Sequence, residues 1–182
     1  MVLEMRYKIE FFSYWHCGSG QTAGADVDEL VVRDVSGLPF VPGRTVKGLL
    51  REAVTNILLL RRGEEGSVEE LFGSESRQGR LYFTNASLSD AMRRSLLTTP
   101  DIDPEMLYRS LSSTAIDERG VAKEHTLRRI ETAIPCTLYG EITGIGSADE
   151  EALLEEALKY VKRLGLVRSR GYGRCEISKI DD

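Results

Sequence analysis

The stretch GLPFVPGRTVKGLLR, residues 37–51, contains the change from an exposed loop to a long helix that decides the fold. Prolines and the Pro42-Gly43 pair oppose a helix in its first half, which leaves Thr45 free to cap one. Apolar residues then recur at helical spacing; they are Val46, Leu49, Leu50, Ala53, Val54, Ile57 and Leu58. The sequence therefore predicts a helix over about residues 44–60 with one face in the core.

The start of this helix also carries positive charge. Arg44, Lys47 and Arg51 follow the same spacing on another side of the helix. A helix N-terminus offers unpaired N–H groups, so these cations together with Thr45 would make a seat for a phosphate. The alternative is a solvated basic stripe on a core helix.

Composition sets limits on the class of protein. A length of 182 residues suits one domain. The formal net charge of −5 argues against a protein that binds nucleic acid over its whole surface. Any binding of RNA must therefore rest on local patches. No apolar run of transmembrane length and no signal-peptide pattern occurs, which predicts a cytoplasmic protein without a membrane partner. Three widely spaced cysteines argue against disulfides and against a paired-cysteine metal site.

A flexible loop at residues 16–29 is the best candidate for chemistry. Its glycines oppose a regular element, and it ends in Asp26 and Asp28. A carboxylate there could orient a ribose 2′-hydroxyl or hold a divalent cation against a phosphodiester. The alternative is an ordinary solvated acid. His16 in this loop is interpreted as a polar residue without a catalytic role, because no partner acid or nucleophile is identifiable.

A second basic segment lies near the end of the chain, at residues 168–174. Glycine lets backbone N–H groups approach phosphate, arginine can clamp it, and tyrosine can stack on a base. The candidate RNA-binding residues of this segment are Arg168, Ser169, Arg170, Gly171, Tyr172 and Arg174. The alternative is a glycine-rich turn that only joins a helix to a strand.

The remaining patterns give the fold class. Strand patterns occur near residues 6–15, 80–88 and 136–145 and from residue 174, and Ser147 opens a capped helix that Gly165 would end. Residues 61–80 are interpreted as a surface connection, and short helices are predicted at residues 92–97 and 104–111. This order predicts an α+β, ferredoxin-like (RNA-recognition-like) βαββαβ domain over residues 1–182, with its core at about 1–89 and 135–182. We expect its sheet to bring Lys47, Arg170 and the loop of Asp28 together around one crevice that holds a ribonucleotide chain.

The insertion at about residues 90–134 is expected to contain a long hairpin. Residues 115–117 lead out, residues 118–120 turn, and residues 127–134 return. Cations and a histidine would lie on or beside this projection; they are Lys123, His125, Arg128 and Arg129. An exposed polar residue is the more ordinary interpretation of His125.

Four ordered blocks carry a resemblance to a known family. LVVRDVSGLPFVPGRTVKGLLREAV is followed by LFGS, GRLYFTNA and VRSRGYGRCEI, in the order seen in the RAMP superfamily, the repeat-associated mysterious proteins of CRISPR effectors. The chain most resembles the small backbone subunit of type III effectors. Asp34 in the first block suits a turn with Ser36 and Gly37, and Asn85 stands where many relatives have aspartate, which suits a cap or a turn.

The resemblance implies a function. It implies a backbone subunit that binds CRISPR guide RNA, contacts other effector subunits, self-associates along the guide and cleaves bound target RNA. Its catalytic aspartate maps onto Asp28, with Asp26 as the alternative, and a divalent cation, Mg²⁺ by expectation, would assist without being tightly bound. The inserted hairpin would be a thumb against the guide and target duplex. Two alternatives stay open: a scaffold that binds guide RNA without cutting, and a metal-independent repeat-processing ribonuclease that uses His16 or His125.

Overall fold

The structure is a computed structural model that describes residues 3–20, 29–61, 66–114, 117–121, 126 and 128–180. Four of the expected site residues lie outside the described residues; they are Asp26, Asp28, Lys123 and His125. The strands are β1 (Leu3–Phe11), β2 (Tyr82–Phe83), β3 (Tyr108–Ser113), β4 (Arg128–Ala133), β5 (Thr137–Ile145) and β6 (Cys175–Lys179). The α-helices are α1 (Gly43–Arg61), α2 (Gly66–Phe72), α3 (Asp90–Thr98) and α4 (Ala148–Tyr160), and 3-10 helices occupy Pro104–Leu107 and Arg168–Arg170.

Four strands form the main sheet in the order β2-β5-β1-β6, and every neighbouring pair is antiparallel. The sequence β1-α1-β2 followed by β5-α4-β6 with this strand order is the ferredoxin-like βαββαβ arrangement. The predicted fold class is therefore confirmed. Between β2 and β5 the chain forms α3, the first 3-10 helix and the separate two-stranded sheet of β3 and β4.

One face of the main sheet is buried and the other is exposed. Strand β1 alternates, with Met5, Tyr7, Ile9 and Phe11 buried and the charged residues between them turned toward solvent. The buried face shares one core with the apolar stripes of α1 and α4, which pack on each other. The capping interaction predicted for α4 is present, because the Glu150 N–H donates to Ser147 Oγ at 3.2 Å.

Two predicted boundaries are wrong. Strand β1 ends at Phe11 instead of near residue 15, and Trp15 forms an isolated bridge with Ala133 of β4. Residues 61–80 are more than a surface connection, because they contain α2, whose Leu71 and Phe72 are buried against the core. Apolar residues in a seven-residue helix leave too short a pattern to be distinguished from a loop.

A hairpin is present in the predicted insertion, but its outgoing strand is Tyr108–Ser113 instead of residues 115–117, of which 115 and 116 lie outside the described residues. Strands β3 and β4 pair from Tyr108 opposite Ala133 to Ser113 opposite Arg128. The Gly120 N–H donates to the Asp117 carbonyl at 3.1 Å, and Gly120 has the positive φ of 79° that this turn needs. The helix predicted for residues 104–111 is wrong in its second half, which is strand β3.

Candidate nucleic-acid interface

An open groove of about 830 Å³ separates the β3–β4 hairpin from the turn formed by residues 165–173. We call this turn the glycine-rich turn. The groove is lined by Glu29, Leu111, Ser112, Ser113, Thr114, Thr126, Arg128, Ile130, Leu166, Val167, Arg170 and Tyr172. Its walls thus combine apolar side chains, hydroxyls, two arginines and one tyrosine. Such a mixture suits a nucleic-acid strand, whose bases, riboses and phosphates need different contacts.

The hairpin wall follows from strand pairing. Leu111 lies opposite Ile130, and Ser113 lies opposite Arg128. Side chains two residues apart point to the same face of a strand, so these four residues share one face of the hairpin. The hydroxyls of Thr114 and Thr126 are 2.9 Å apart and join the two strands beyond the last pair. Arg129 takes the alternate position in β4 and does not line the groove.

The glycine-rich turn is held by the backbone of the segment after β1. The Leu166 N–H donates to the His16 carbonyl at 3.0 Å, and the Gly173 N–H donates to the Tyr14 carbonyl at 2.8 Å. A Cβ atom on Gly165 would lie 2.1 Å from the His16 carbonyl oxygen. Gly165 therefore permits this close approach and does not end α4, which stops at Tyr160, so the predicted helix stop is wrong.

The arginines of this turn are exposed. Arg168 and Arg170 lie in the second 3-10 helix, and Arg170 reaches the groove. The Arg163 guanidinium donates to the Arg168 carbonyl and so supports the turn. Arg174, just beyond it, has its guanidinium carbon 5.6 Å from the centre of the Phe12 ring and does not line the groove.

Glu29 contributes a carboxylate to the groove, and it is the first described residue after Asp28. Its carbonyl accepts a hydrogen bond from the Glu131 N–H at 3.0 Å. Its Oε2 lies 3.5 Å from His16 Nε2, an ion pair only when the imidazole is protonated. Glu29 was not a candidate in the sequence, where it is one of several acids at the end of a loop.

A charged network lies behind this side of the groove. Glu131 accepts from the Val31 N–H at 2.9 Å and from the Arg33 guanidinium at 2.6 Å. Arg33 also pairs with Glu105 and stacks 3.7 Å from the centre of the Tyr108 ring. Burial opposes the charge on Arg33, but its bonds to both glutamates outweigh burial and raise the pKa of Arg33. No sequence pattern singled out Glu131, which lies two residues after Arg129 and resembles a solvated strand residue.

His16 is completely buried, with 0% relative exposure. Its Nδ1 lies 2.6 Å from the Glu131 carbonyl oxygen, so Nδ1 carries the hydrogen. Among the residues that the structure describes, its Nε2 has no hydrogen-bond partner. The interpretation of His16 without a catalytic role fits this burial, but His16 is a core residue and not an exposed one.

The start of α1 differs from the expected phosphate seat. The Gly43 N–H donates to Asn85 Oδ1 at 2.9 Å, and the Thr45 N–H donates to the Pro42 carbonyl at 2.9 Å. These two N–H groups are therefore already paired within the protein. The phosphate site was predicted from unpaired N–H groups, and that prediction is wrong for Gly43 and Thr45. Asn85 takes the capping role that was expected of it, while the Thr45 hydroxyl lies 3.9 Å from the Cys17 sulfur.

The two basic segments do not form one crevice. The Lys47 ammonium donates to the Leu81 carbonyl at 3.3 Å, just before β2. Arg170 lies just before β6, and β2 and β6 are the opposite edges of the main sheet. The crevice expected between Lys47 and Arg170 is therefore not found. Arg44 is exposed at the start of α1 and Arg51 is exposed further along it, and neither lines the groove.

A comparison with known protein families identifies the superfamily of this chain. The sequence profile of the RAMP superfamily matches residues 8–176, which is nearly the whole chain. The chain belongs to the RAMP superfamily.

Three proteins similar to this RAMP domain are informative. It is 30% identical over 145 residues to the CRISPR system CMR subunit Cmr6 of Saccharolobus solfataricus (strain ATCC 35092 / DSM 1617 / JCM 11322 / P2). That match covers 79% of the RAMP chain but 46% of Cmr6, so the chain spans just under half of this relative.

The other two comparisons are with solved structures that share its fold. A chain of the type III-B Cmr-β complex bound to cognate target RNA aligns with a TM-score of 0.72 and 11% identity, over 97% of both chains. A chain of the apo Cmr-β complex aligns with a TM-score of 0.73 and 14% identity, over 99% of this chain and 98% of that one. These likenesses show that the RAMP domain shares their fold.

The described part of the RAMP domain has no ready-made metal centre. Among the described residues, no group of three or more His, Cys, Asp or Glu side chains could hold a metal ion. Among the described residues that line the groove, Glu29 is the one carboxylate. None of the described helices is long and apolar enough to cross a membrane.

Proposed function

We propose that this RAMP domain is a subunit of a type III CRISPR effector and binds guide RNA in the groove between the hairpin and the glycine-rich turn. The observation that carries the proposal is the composition of this groove in a member of the superfamily. The curated relative is a subunit of a CRISPR system, and one structural relative is a complex bound to target RNA.

The charges of the groove favour an anionic strand. Among the described residues that line the groove, Arg128, Arg170 and Glu29 are charged, which leaves one positive charge in excess within a chain whose formal net charge is −5. An arginine can hold a phosphate by two parallel hydrogen bonds. Tyr172 offers a ring for stacking on a base, and the hydroxyls along β3 can bond to ribose 2′-hydroxyls. The groove therefore has a suitable contact for each part of a ribonucleotide.

The proposal includes contact with other effector subunits, self-association along the guide and cleavage of bound target RNA by Asp28, with Asp26 as the alternative. The support for cleavage is the resemblance of the sequence together with the place of Glu29 in the groove. An aspartate near a held phosphodiester would orient the ribose 2′-hydroxyl toward it. A requirement for a divalent cation such as Mg²⁺ is part of the proposal, and no step is assigned to the ion.

Two alternatives give different outcomes. A scaffold subunit would bind guide RNA in the same groove and cut nothing. A stand-alone, metal-independent ribonuclease would need a histidine that reaches the RNA, and the complete burial of His16 disfavours it in that role. His125 lies outside the described residues and stays a candidate for the ribonuclease alternative.

The groove is tested by removing its two arginines. The variant carrying Arg128→Ala and Arg170→Ala should bind guide RNA more weakly than the unaltered chain. The slope of log K against log salt should also become less steep, by about 1 to 2. The reason is that each lost phosphate contact removes about one released counterion. Fluorescence anisotropy at several salt concentrations measures both quantities. Arg94→Ala is the matched control, because Arg94 is exposed on α3 and does not line the groove. Equal binding by all three proteins would refute the groove.

Cleavage is tested in the assembled effector. Asp28→Ala should abolish cutting of matched target RNA and leave guide binding intact, and Asp26→Ala in parallel separates the two candidates. Cutting by the unaltered complex in EDTA would remove the cation from the proposal. Absence of cutting by the unaltered complex with Mg²⁺ would establish the scaffold alternative. Cutting of a repeat hairpin by the isolated chain in EDTA would establish the ribonuclease alternative.

A further inference from the structure

Val167 in the groove has a left-handed backbone, with φ 57° and ψ 27°. This conformation is uncommon for residues other than glycine, and for a β-branched side chain it is a genuine outlier. The other non-glycine residue with positive φ among those described is Asp101, at 66°. Aspartate tolerates this region far better than valine does. Val167 is therefore the most strained backbone position in the part of the chain that the structure describes.

The backbone of the glycine-rich turn would be served equally well by glycine at position 167. Gly165, Gly171 and Gly173 of the same turn all have positive φ, between 66° and 96°. The Val167 carbonyl accepts a hydrogen bond from the Arg170 N–H at 2.9 Å, a bond that involves no side chain. The strain at position 167 therefore arises from the valine side chain, because glycine would adopt the same backbone conformation without strain.

The Val167 side chain belongs to the apolar part of the groove. Val167 and Leu166 line the groove on the side of the turn, and Leu111 and Ile130 line it on the side of the hairpin. Arg170 and Tyr172 follow on the same wall, so an apolar surface lies directly beside a cation and an aromatic ring. Strained residues that persist in a fold often lie at ligand sites, where the strain holds a group in place for binding.

We propose that Val167 determines the specificity of the groove for unpaired nucleotides. Its side chain contacts the base of a nucleotide whose phosphate is held by Arg170, and its left-handed backbone keeps that side chain in the groove. In a duplex the faces of the bases are covered by stacking, so this contact is available only in single-stranded RNA. The inference rests on the proposed binding of RNA in the groove and adds a residue and a preference to it.

The test uses the full chain with Val167→Gly and Val167→Asn. Both residues accept a left-handed backbone, so both variants should raise the melting temperature, Val167→Gly by about 2 to 4 °C. Both should also bind a fluorescein-labelled oligouridylate, which stays unpaired, about threefold to tenfold more weakly, because an apolar contact is lost. Binding of a double-stranded RNA of the same length should not change. Stabilisation together with weaker binding is the signature, because loss of fold would lower both quantities.

Asp101→Gly is the matched control. It replaces the other strained residue, which does not line the groove, and should leave the affinity for both RNAs unchanged. If Val167→Gly and Val167→Asn bind oligouridylate as tightly as the unaltered chain, the role of Val167 is overturned while the groove stands. If single-stranded and double-stranded RNA lose affinity equally, the preference for unpaired nucleotides is overturned. If the unaltered chain binds neither RNA, both this inference and the proposed function fail.

Discussion

Replacing Glu131 by alanine should destabilise the fold far more than replacing Glu105, although both glutamates pair with Arg33. The Glu131 side chain is 11% exposed and the Glu105 side chain is 64% exposed. Loss of Glu131 leaves the Val31 N–H without its acceptor, which costs about 1 to 3 kcal/mol. Breaking a buried ion pair costs about 3 to 5 kcal/mol, but Arg33 keeps Glu105 and some solvent. We therefore expect a total loss of about 3 kcal/mol for Glu131→Ala.

Glu105→Ala serves as the matched control because it removes the same kind of partner from the same guanidinium. Exposed ion pairs contribute about 0 to 1 kcal/mol, so its effect should be small. Urea unfolding followed by circular dichroism gives the free energy of unfolding of both variants. If the two variants lose the same free energy of unfolding within about 0.5 kcal/mol, which is the scatter of surface substitutions, burial of Glu131 does not matter and the reasoning is refuted. A double variant with Arg33→Ala should show a coupling energy with Glu131 above about 0.5 kcal/mol.

Two further predictions concern the glycine-rich turn and the turn before α1. Gly165→Ala should lower the melting temperature much more than Gly171→Ala, although both glycines have positive φ. A Cβ at Gly165 would meet the His16 carbonyl, whereas a Cβ at Gly171 would have nothing within 4 Å. Equal shifts, measured by thermal unfolding, would show that φ alone decides. Burial opposes ionisation of Asp34, but bonds from Arg93 and two backbone N–H groups prevail and lower the pKa of Asp34 below its usual value. Its stabilisation is thus complete above the unfolded pKa and is lost as pH falls through the folded one. Asp34→Asn should therefore reduce the free energy of unfolding at pH 7, and the difference should shrink below about pH 4.

Much of the fold was determined by local patterns in the sequence. Helical spacing from Val46 gave α1, a capping residue at Ser147 gave the start of α4, and alternation gave β5. The turn at Asp34 was also predictable, because an aspartate bonds to N–H groups two to four residues further on, here those of Ser36 and Leu38. These features depend on neighbours in the chain, and so they can be read from a linear sequence.

The arrangement of the site was decided by contacts between distant parts of the chain. Asn85 caps α1 although it lies 42 residues after Gly43 in the chain. It accepts the Gly43 N–H, which the sequence analysis expected to be available to a phosphate. Lys47 and Arg170 were expected together, but the strand order places their segments at opposite edges of the sheet. The burial of His16 follows from the packing of the glycine-rich turn on the segment after β1. No periodicity encodes such contacts, because they depend on which surfaces meet once the whole chain has folded.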